Sequence, residues 1–296
     1  MDYSGGASPT SATRGTSYLM PRTLMPGTPQ PTPYTEVNAV LHGFATQLRA
    51  TLGDRFRGMY LTGSLALGDF DPHTSDIDFI VLTDAPLSAD LVEAIRDMHE
   101  RFGSSGSPWA HKIEAVYIPP EALHAKPVSP ASYPQVEKDH PLFMAPLESG
   151  WIFHVYTLRE HGVTVAGPDV RPLIGPVDPD DMRRAAAPIA ELWLEQALHD
   201  PAWLTWLYER RHQAFVVLTL CRLLYTLDSG SLASKPAAAR WAVHALGPRW
   251  ATLIERSLAG QHGSVATPEN DVTGTVTLVR YTVDQFQQWK SSLPVQ

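Results

Sequence analysis

Asp76 and Asp78 give this chain its clearest chemical signal. They stand two apart at the head of the apolar run Ile77-Asp78-Phe79-Ile80-Val81-Leu82, which reads as a strand, so both carboxylates project from one face. Two such groups can hold a hard divalent cation of the Mg²⁺ type, which demands short bonds to anionic oxygen. Eleven residues separate Asp76 from Ser64, and Gly63-Ser64 follows a first apolar strand ending Tyr60-Leu61-Thr62. A small-residue turn at that point lets backbone N–H groups and a hydroxyl approach phosphate oxygens. Strand, Gly-Ser turn, loop and second strand together read as a metal and triphosphate site. Asp-x-Asp alone is more often a charged strand edge, and its combination with Gly-Ser carries the reading.

A third acid follows. Lys112-Ile113-Glu114-Ala115-Val116-Tyr117-Ile118 alternates, which puts Glu114 on the same face as Val116 and Ile118. A carboxylate there either charges a strand edge, pairs with Lys112, or joins the metal cluster and removes the proton from an attacking hydroxyl. Glu121 and Glu148 are the alternatives for that role.

The elements that must position these groups are legible from periodicity. Val37, Leu41, Phe44, Leu48 and Leu52 predict a helix from Thr35 that Gly53 stops, leading into the first strand. Ser88 is placed to cap a helix whose apolar face is Leu91, Ile95, Met98 and Phe102. Residues 119–150 are rich in Pro and His and read as loops with a short helix, a lid over the site. His111, His124, His140 and His154 lack the spacing of a zinc site and read as scattered surface histidines. A helix end and short strand at 158–168 close the first domain. Helical patterns then run from Asp178-Pro179 through Leu198, over Arg211 to Leu227, Lys235 to Leu246, Pro248 to Leu258 and Val276 to Leu293, which argues for a helical bundle.

With 296 residues the chain can form two domains with cores of their own. Its net charge of −8 gives no electrostatic footprint for a long nucleic acid and suits cationic small molecules better. The lone Cys221 lies in an apolar helical run and is expected to pack, in keeping with a reducing cytoplasm. Residues 1–34, dominated by Ser, Thr, Gly and Pro, read as a disordered tail. No apolar run is long enough to span a bilayer.

The pairing of Gly63-Ser64 with Ser75-Asp76-Ile77-Asp78 resembles the signature of the nucleotidyltransferase superfamily. The resemblance sharpens in the second half. Phe215-Val216-Val217-Leu218-Thr219-Leu220-Cys221-Arg222-Leu223-Leu224-Tyr225, Ser229-Gly230 and Lys235-Pro236-Ala237-Ala238-Ala239-Arg240-Trp241-Ala242 look like the helical domain of the aminoglycoside (3'')(9) adenylyltransferases, and Arg159-Glu160-His161 and Ala166-Gly167-Pro168 agree. The similarity covers about residues 36 to 260. It implies an α/β nucleotidyltransferase domain, with a polymerase-β-like mixed sheet and flanking helices, over 35–168, followed by an all-α bundle over 169–296.

By the same resemblance Gly63 and Ser64 are triphosphate contacts, Asp76 and Asp78 magnesium ligands, and Glu114 the catalytic base and a further ligand. Arg222 and Lys235 reach the nucleotide phosphates, and Trp203, Tyr208 and His212 border the acceptor. The implied reaction is transfer of AMP from ATP, with Mg²⁺, to a hydroxyl of a streptomycin- or spectinomycin-type drug, by a cytoplasmic enzyme expected to be a monomer. The alternatives are another metabolite or a protein side chain as acceptor, or a catalytically idle nucleotide-binding module. One departure stands out: Tyr208-Glu209-Arg210-Arg211-His212-Gln213 carries bases where the family places acids against the drug. Unless Glu209 or Asp200 substitutes, this predicts a preference for less cationic acceptors.

Overall fold

A computed structural model of the chain describes residues 30–124, 131–138, 140–260 and 265–293. Strands Phe56–Leu61 (β1), Ile77–Thr83 (β2), Ile113–Ile118 (β3), Ser132–Val136 (β4), Phe143–Pro146 (β5) and Val163–Ala166 (β6) form one mixed sheet in the order β5-β4-β3-β2-β1-β6. Only β2 and β3 run parallel, joined by a helical crossover; every other pair is antiparallel. Alternation sends Met59, Leu61, Phe79 and Val81 to one face, where helices Thr35–Leu52 (α1) and Ala89–Gly103 (α3) cover them. Tyr60, Ile80 and Leu82 point the other way, against helix Trp151–His161 (α4). The α1 face reads as expected, with Val37, Leu41, Phe44, Leu48 and Leu52 all buried. Truncating such a leucine to alanine typically costs about 2–5 kcal/mol. On α3 the buried face uses Val92 rather than Leu91, which packs only at the rim.

Two stretches differ from the sequence reading. The Gly-Ser turn is the opening of a five-residue helix, Gly63–Leu67 (α2). Residues 119–150, read as loops and a lid, contain the β4–β5 hairpin, which extends the sheet past β3. Pro134 and Pro146 hide it. Pro134 lies beyond the reach of β3 and meets only Met144, and Pro146 is in the edge strand, where a missing donor costs no ladder bond. Residues 125–130 of this stretch lie outside the described residues, as do residues 1–29 of the expected tail. The tail's last residues belong to the fold. Thr32 bonds the buried Asn38 side chain through its N–H at 3.1 Å and its hydroxyl at 2.7 Å, and Tyr34 donates to the Phe70 carbonyl at 2.9 Å.

The second half is helical: Pro179–His199 (α5), Pro201–Trp206 (α6), Arg210–Ser229 (α7), Lys235–Ala245 (α8), Pro248–Gly260 (α9) and Glu269–Ser292 (α10). The core forms around α7, whose Val216, Val217, Leu220, Cys221 and Leu224 are all buried. Burial pushes the Cys221 thiol up to about 12, which fits a packing role. The short α6 escaped the periodicity, and α10 begins at Glu269 rather than Val276. Its first turns bury the polar residues Asp271 and Thr275, so no apolar stripe marks them. Asp271 is ion-paired with Arg210 at 2.8 Å and Arg256 at 3.1 Å. The two halves meet where Ile152, Met182 and Leu232 form a small apolar cluster with Leu67 and Phe153. Among the described residues no helix is long and apolar enough to cross a membrane.

Candidate active site

The chain leaves β1 and turns directly into α2 at Gly63, whose φ is +57°. A Cβ at this position would run into the Asp78 carboxylate, so glycine alone lets the turn lie against the acid. Thr62 N–H donates to the Asp78 carbonyl at 3.0 Å and fixes the same approach, with Ser64 one residue further on.

The carboxylates are set by strand register. Asp78 and Glu114 are partners across parallel β2 and β3, and their carboxyls share a hydrogen bond. Burial first, then the negative charge of Glu114 and of Asp76, pushes Asp78 well above the usual carboxylate range. Burial also raises Glu114, with Asp76 and Glu137 adding to the shift and the bond from Asp78 opposing it. Glu137 belongs to this row because β4 pairs Ala115 with Val136, which brings the next residue of each strand, Glu114 and Glu137, alongside. Asp76 immediately precedes β2, with its buried Oδ1 at 3.1 Å from Lys138 Nζ but without hydrogen-bond alignment.

Bases face these acids from the helical half. Arg222 projects from α7 and has no hydrogen bond or ion pair among the described residues; burial lowers its pKa, and Asp78 counters the shift. Lys235 opens α8, with Nζ 4.0 Å from the centre of the Phe215 ring. Burial and then Arg222 push its amine down to about 7 against the pull of Asp78, Glu114 and Asp76. The start of α8 is clipped to the first half. Ser234 caps the helix, accepting from Ala237 N–H at 3.3 Å, and donates to Asp69 in the loop after α2, which also lies 3.9 Å from Arg240. Between the two halves opens a cleft of about 370 Å³, whose lining includes Gly63, Val116, Glu137, Glu148, His154 and Arg222.

Buried acids with an unaligned carboxylate oxygen suit a hard cation such as Mg²⁺. Among the described residues no three His, Cys, Asp or Glu side chains stand together as a preformed metal cluster. Mg²⁺ usually takes one or two carboxylates and completes its shell with phosphate oxygens and water, and Asp76, Asp78 and Glu114 are the residues that could supply them.

The structure therefore brings together Gly63, Ser64, Asp76, Asp78, Glu114, Arg222 and Lys235. It does not bring in the three residues expected at the acceptor. Trp203 is 8 % exposed in the bundle core, Tyr208 donates to Glu269 on α10, and His212 stacks on Trp206 at 4.1 Å with Nδ1 3.3 Å from Glu209; none of them lines the cleft. His154, read as a surface histidine, is exposed and also borders the cleft. The surrounding protein and then Arg222 lower its pKa. Glu137 and Lys138 are not singled out by the sequence. The alternation of Gln135 and Glu137 is the one signal for Glu137, and Pro134 obscures it.

Residues 46–112 match the nucleotidyltransferase domain family, and residues 172–285 match the family described as aminoglycoside adenylyltransferase, C-terminal domain. Relatives include an aminoglycoside (3'') (9) adenylyltransferase of Klebsiella pneumoniae, 27% identical over 273 residues that cover 82% of this chain and 95% of that protein. One of Escherichia coli is 28% identical over 73% of this chain and 84% of its own length. Among solved structures, spectinomycin adenyltransferase AAD(9) from Enterococcus faecialis with ATP and spectinomycin aligns with a TM-score of 0.62 at 18% identity, covering 86% of this chain and 99% of that one. At that identity the likeness speaks for the fold.

Proposed function

We infer, from the premise that this chain belongs to the aminoglycoside adenylyltransferase family, that it transfers AMP from ATP to a hydroxyl of an aminoglycoside or aminocyclitol antibiotic. The observation that carries this reading is the proximity of Asp76, Asp78 and Glu114 on the sheet to Arg222 and Lys235 from the bundle, whose charges act on one another beside a cleft that Arg222 lines. Acids and bases so opposed suit a substrate that is a polyphosphate at one end and a hydroxyl donor at the other. Residues 35–168 and 169–296 are the two domains that this cleft separates.

Each group has a task in an in-line displacement at the α-phosphorus. Glu114, with its proton affinity raised, takes the proton of the acceptor hydroxyl as the new O–P bond forms. The bond from the α-phosphorus to the bridging oxygen breaks, and pyrophosphate leaves. Arg222 and Lys235 neutralise the phosphate oxygens, and the Gly63-Ser64 turn offers N–H and hydroxyl donors. Asp76 and Asp78 would hold Mg²⁺, which supplies Lewis-acid stabilisation of phosphoryl charge when bound. The reading assigns the reaction to the ATP-supplied cytoplasm and to a monomer.

Incubation with Mg·ATP and a panel of aminoglycosides and aminocyclitols, followed by mass spectrometry, tests it. An added AMP with release of pyrophosphate is the expected result. Mg·ATP binding without modification of any drug would overturn the antibiotic reading and direct the search to other hydroxyl acceptors.

A further inference from the structure

We propose that the acceptor's ammonium groups are received by Glu137 and Glu148, carboxylates from the β4–β5 hairpin and the turn before α4, and not by the start of α7. The proposal rests on the adenylyltransferase reading of the cleft and names its specificity residues.

The start of α7 is already satisfied within itself. Arg210 is bound to Asp271 and Gln213, Arg211 to Glu209, and His212 to Glu209 and Trp206. Its bases therefore neither receive nor strongly repel a cation, and none of them lines the cleft. Glu137 and Glu148 do line it, on its solvent-exposed side, and neither has an ion-pair or side-chain hydrogen-bond partner among the described residues. Glu137 stands beside Glu114, so a cation held there lies next to the group that takes the hydroxyl proton. Phe143 and Trp151, on either side of Glu148 in sequence, give the same wall an apolar surface for a sugar ring.

The charge balance points the same way. Asp76, Asp78, Glu114, Glu137 and Glu148 outnumber Lys138, Arg222 and Lys235 in and beside the cleft. Mg·ATP is itself an anion and adds to the excess. Arg222, largely enclosed and unpaired, aims a separate charge into the cleft for the nucleotide, which leaves the hairpin acids for the other substrate. A polyamine bound there would offset this excess, and charge-assisted N–H···O bonds to the two carboxylates would fix its orientation.

Glu137→Gln, Glu148→Gln and the double variant test this, because glutamine keeps the shape and removes the charge. Acceptor KM, kcat and the equilibrium binding of drug to enzyme loaded with a non-hydrolysable ATP analogue are the readouts. The double variant should raise acceptor KM and Kd roughly tenfold or more, most for the most cationic drug, and flatten their dependence on ionic strength. Mg·ATP affinity should stay within about twofold of wild type. Glu148→Gln should raise acceptor KM more than it lowers kcat. Unchanged drug Kd in the double variant overturns the proposal. Drug that binds wild type and binds the variant more weakly, without any transfer, upholds it and overturns the transfer reading instead; drug that binds neither form overturns both.

Discussion

Asp78 and Glu114 stand side by side in register on the parallel strands β2 and β3, and their carboxyls share a hydrogen bond. Two acids in that relation cannot both ionise freely, and the proposed mechanism gives them different tasks. Asp78→Asn should abolish AMP transfer and weaken Mg·ATP binding while the melting temperature stays near wild type or rises, because a buried, mutually repelling carboxyl is removed. Glu114→Gln should spare Mg·ATP binding and cut the transfer rate by roughly two or more orders of magnitude. Calorimetry beside single-turnover rates checks both. Equal loss of nucleotide affinity in the two variants would make Glu114 a ligand and not a base.

Gly63→Ala tests the backbone approach to Asp78. Alanine at φ +57° costs about 1–2 kcal/mol, and its methyl group collides with the carboxylate. A melting temperature lowered by a few degrees, with transfer reduced far more than the stability loss explains, is the expected outcome. Wild-type activity in this variant would show that Asp78 can move without consequence.

Lys235 sets a pH dependence of nucleotide affinity. Its amine titrates near 7 in the free protein, and only the protonated form attracts phosphate. Affinity for Mg·ATP should therefore hold at pH 6 and fall as pH rises through and above 7, with proton uptake on binding. Calorimetry in buffers of different ionisation enthalpy measures that uptake, and Lys235→Met should remove it together with the pH slope. A slope that persists in Lys235→Met would assign the titration to another group.

The N-terminal boundary makes a sharp contrast. Deleting residues 1–29 should leave the melting temperature unchanged, as their composition predicts. Deleting residues 1–34 removes both Thr32 bonds to Asn38, a residue only 2 % exposed, and leaves its amide unsatisfied at a cost of about 1–3 kcal/mol. Equal melting temperatures for the two truncations would mean that Asn38 finds other partners.

Elements whose causes are local can be read from the residues alone. Gly63-Ser64 and Asp76-x-Asp78 were legible because a two-residue period and a small-residue turn act over a few positions, and the periodicity of α1, α3, α5, α7, α8 and α9 follows from faces that each helix carries on its own. Contacts between distant segments follow from how the chain packs. Parallel register brings Glu114 against Asp78, and hairpin register adds Glu137, a residue hidden behind a proline that breaks the alternation. The Asp69–Ser234 contact sets where Lys235 stands, and it links positions far apart in the chain that share no pattern. The bases at the start of α7 carried a charge change that could be read from the sequence. Their neutralisation by Asp271 and Glu209 depended on which side chains came to lie beside them, and for Asp271 that is a choice made by the packing of α10 against α7.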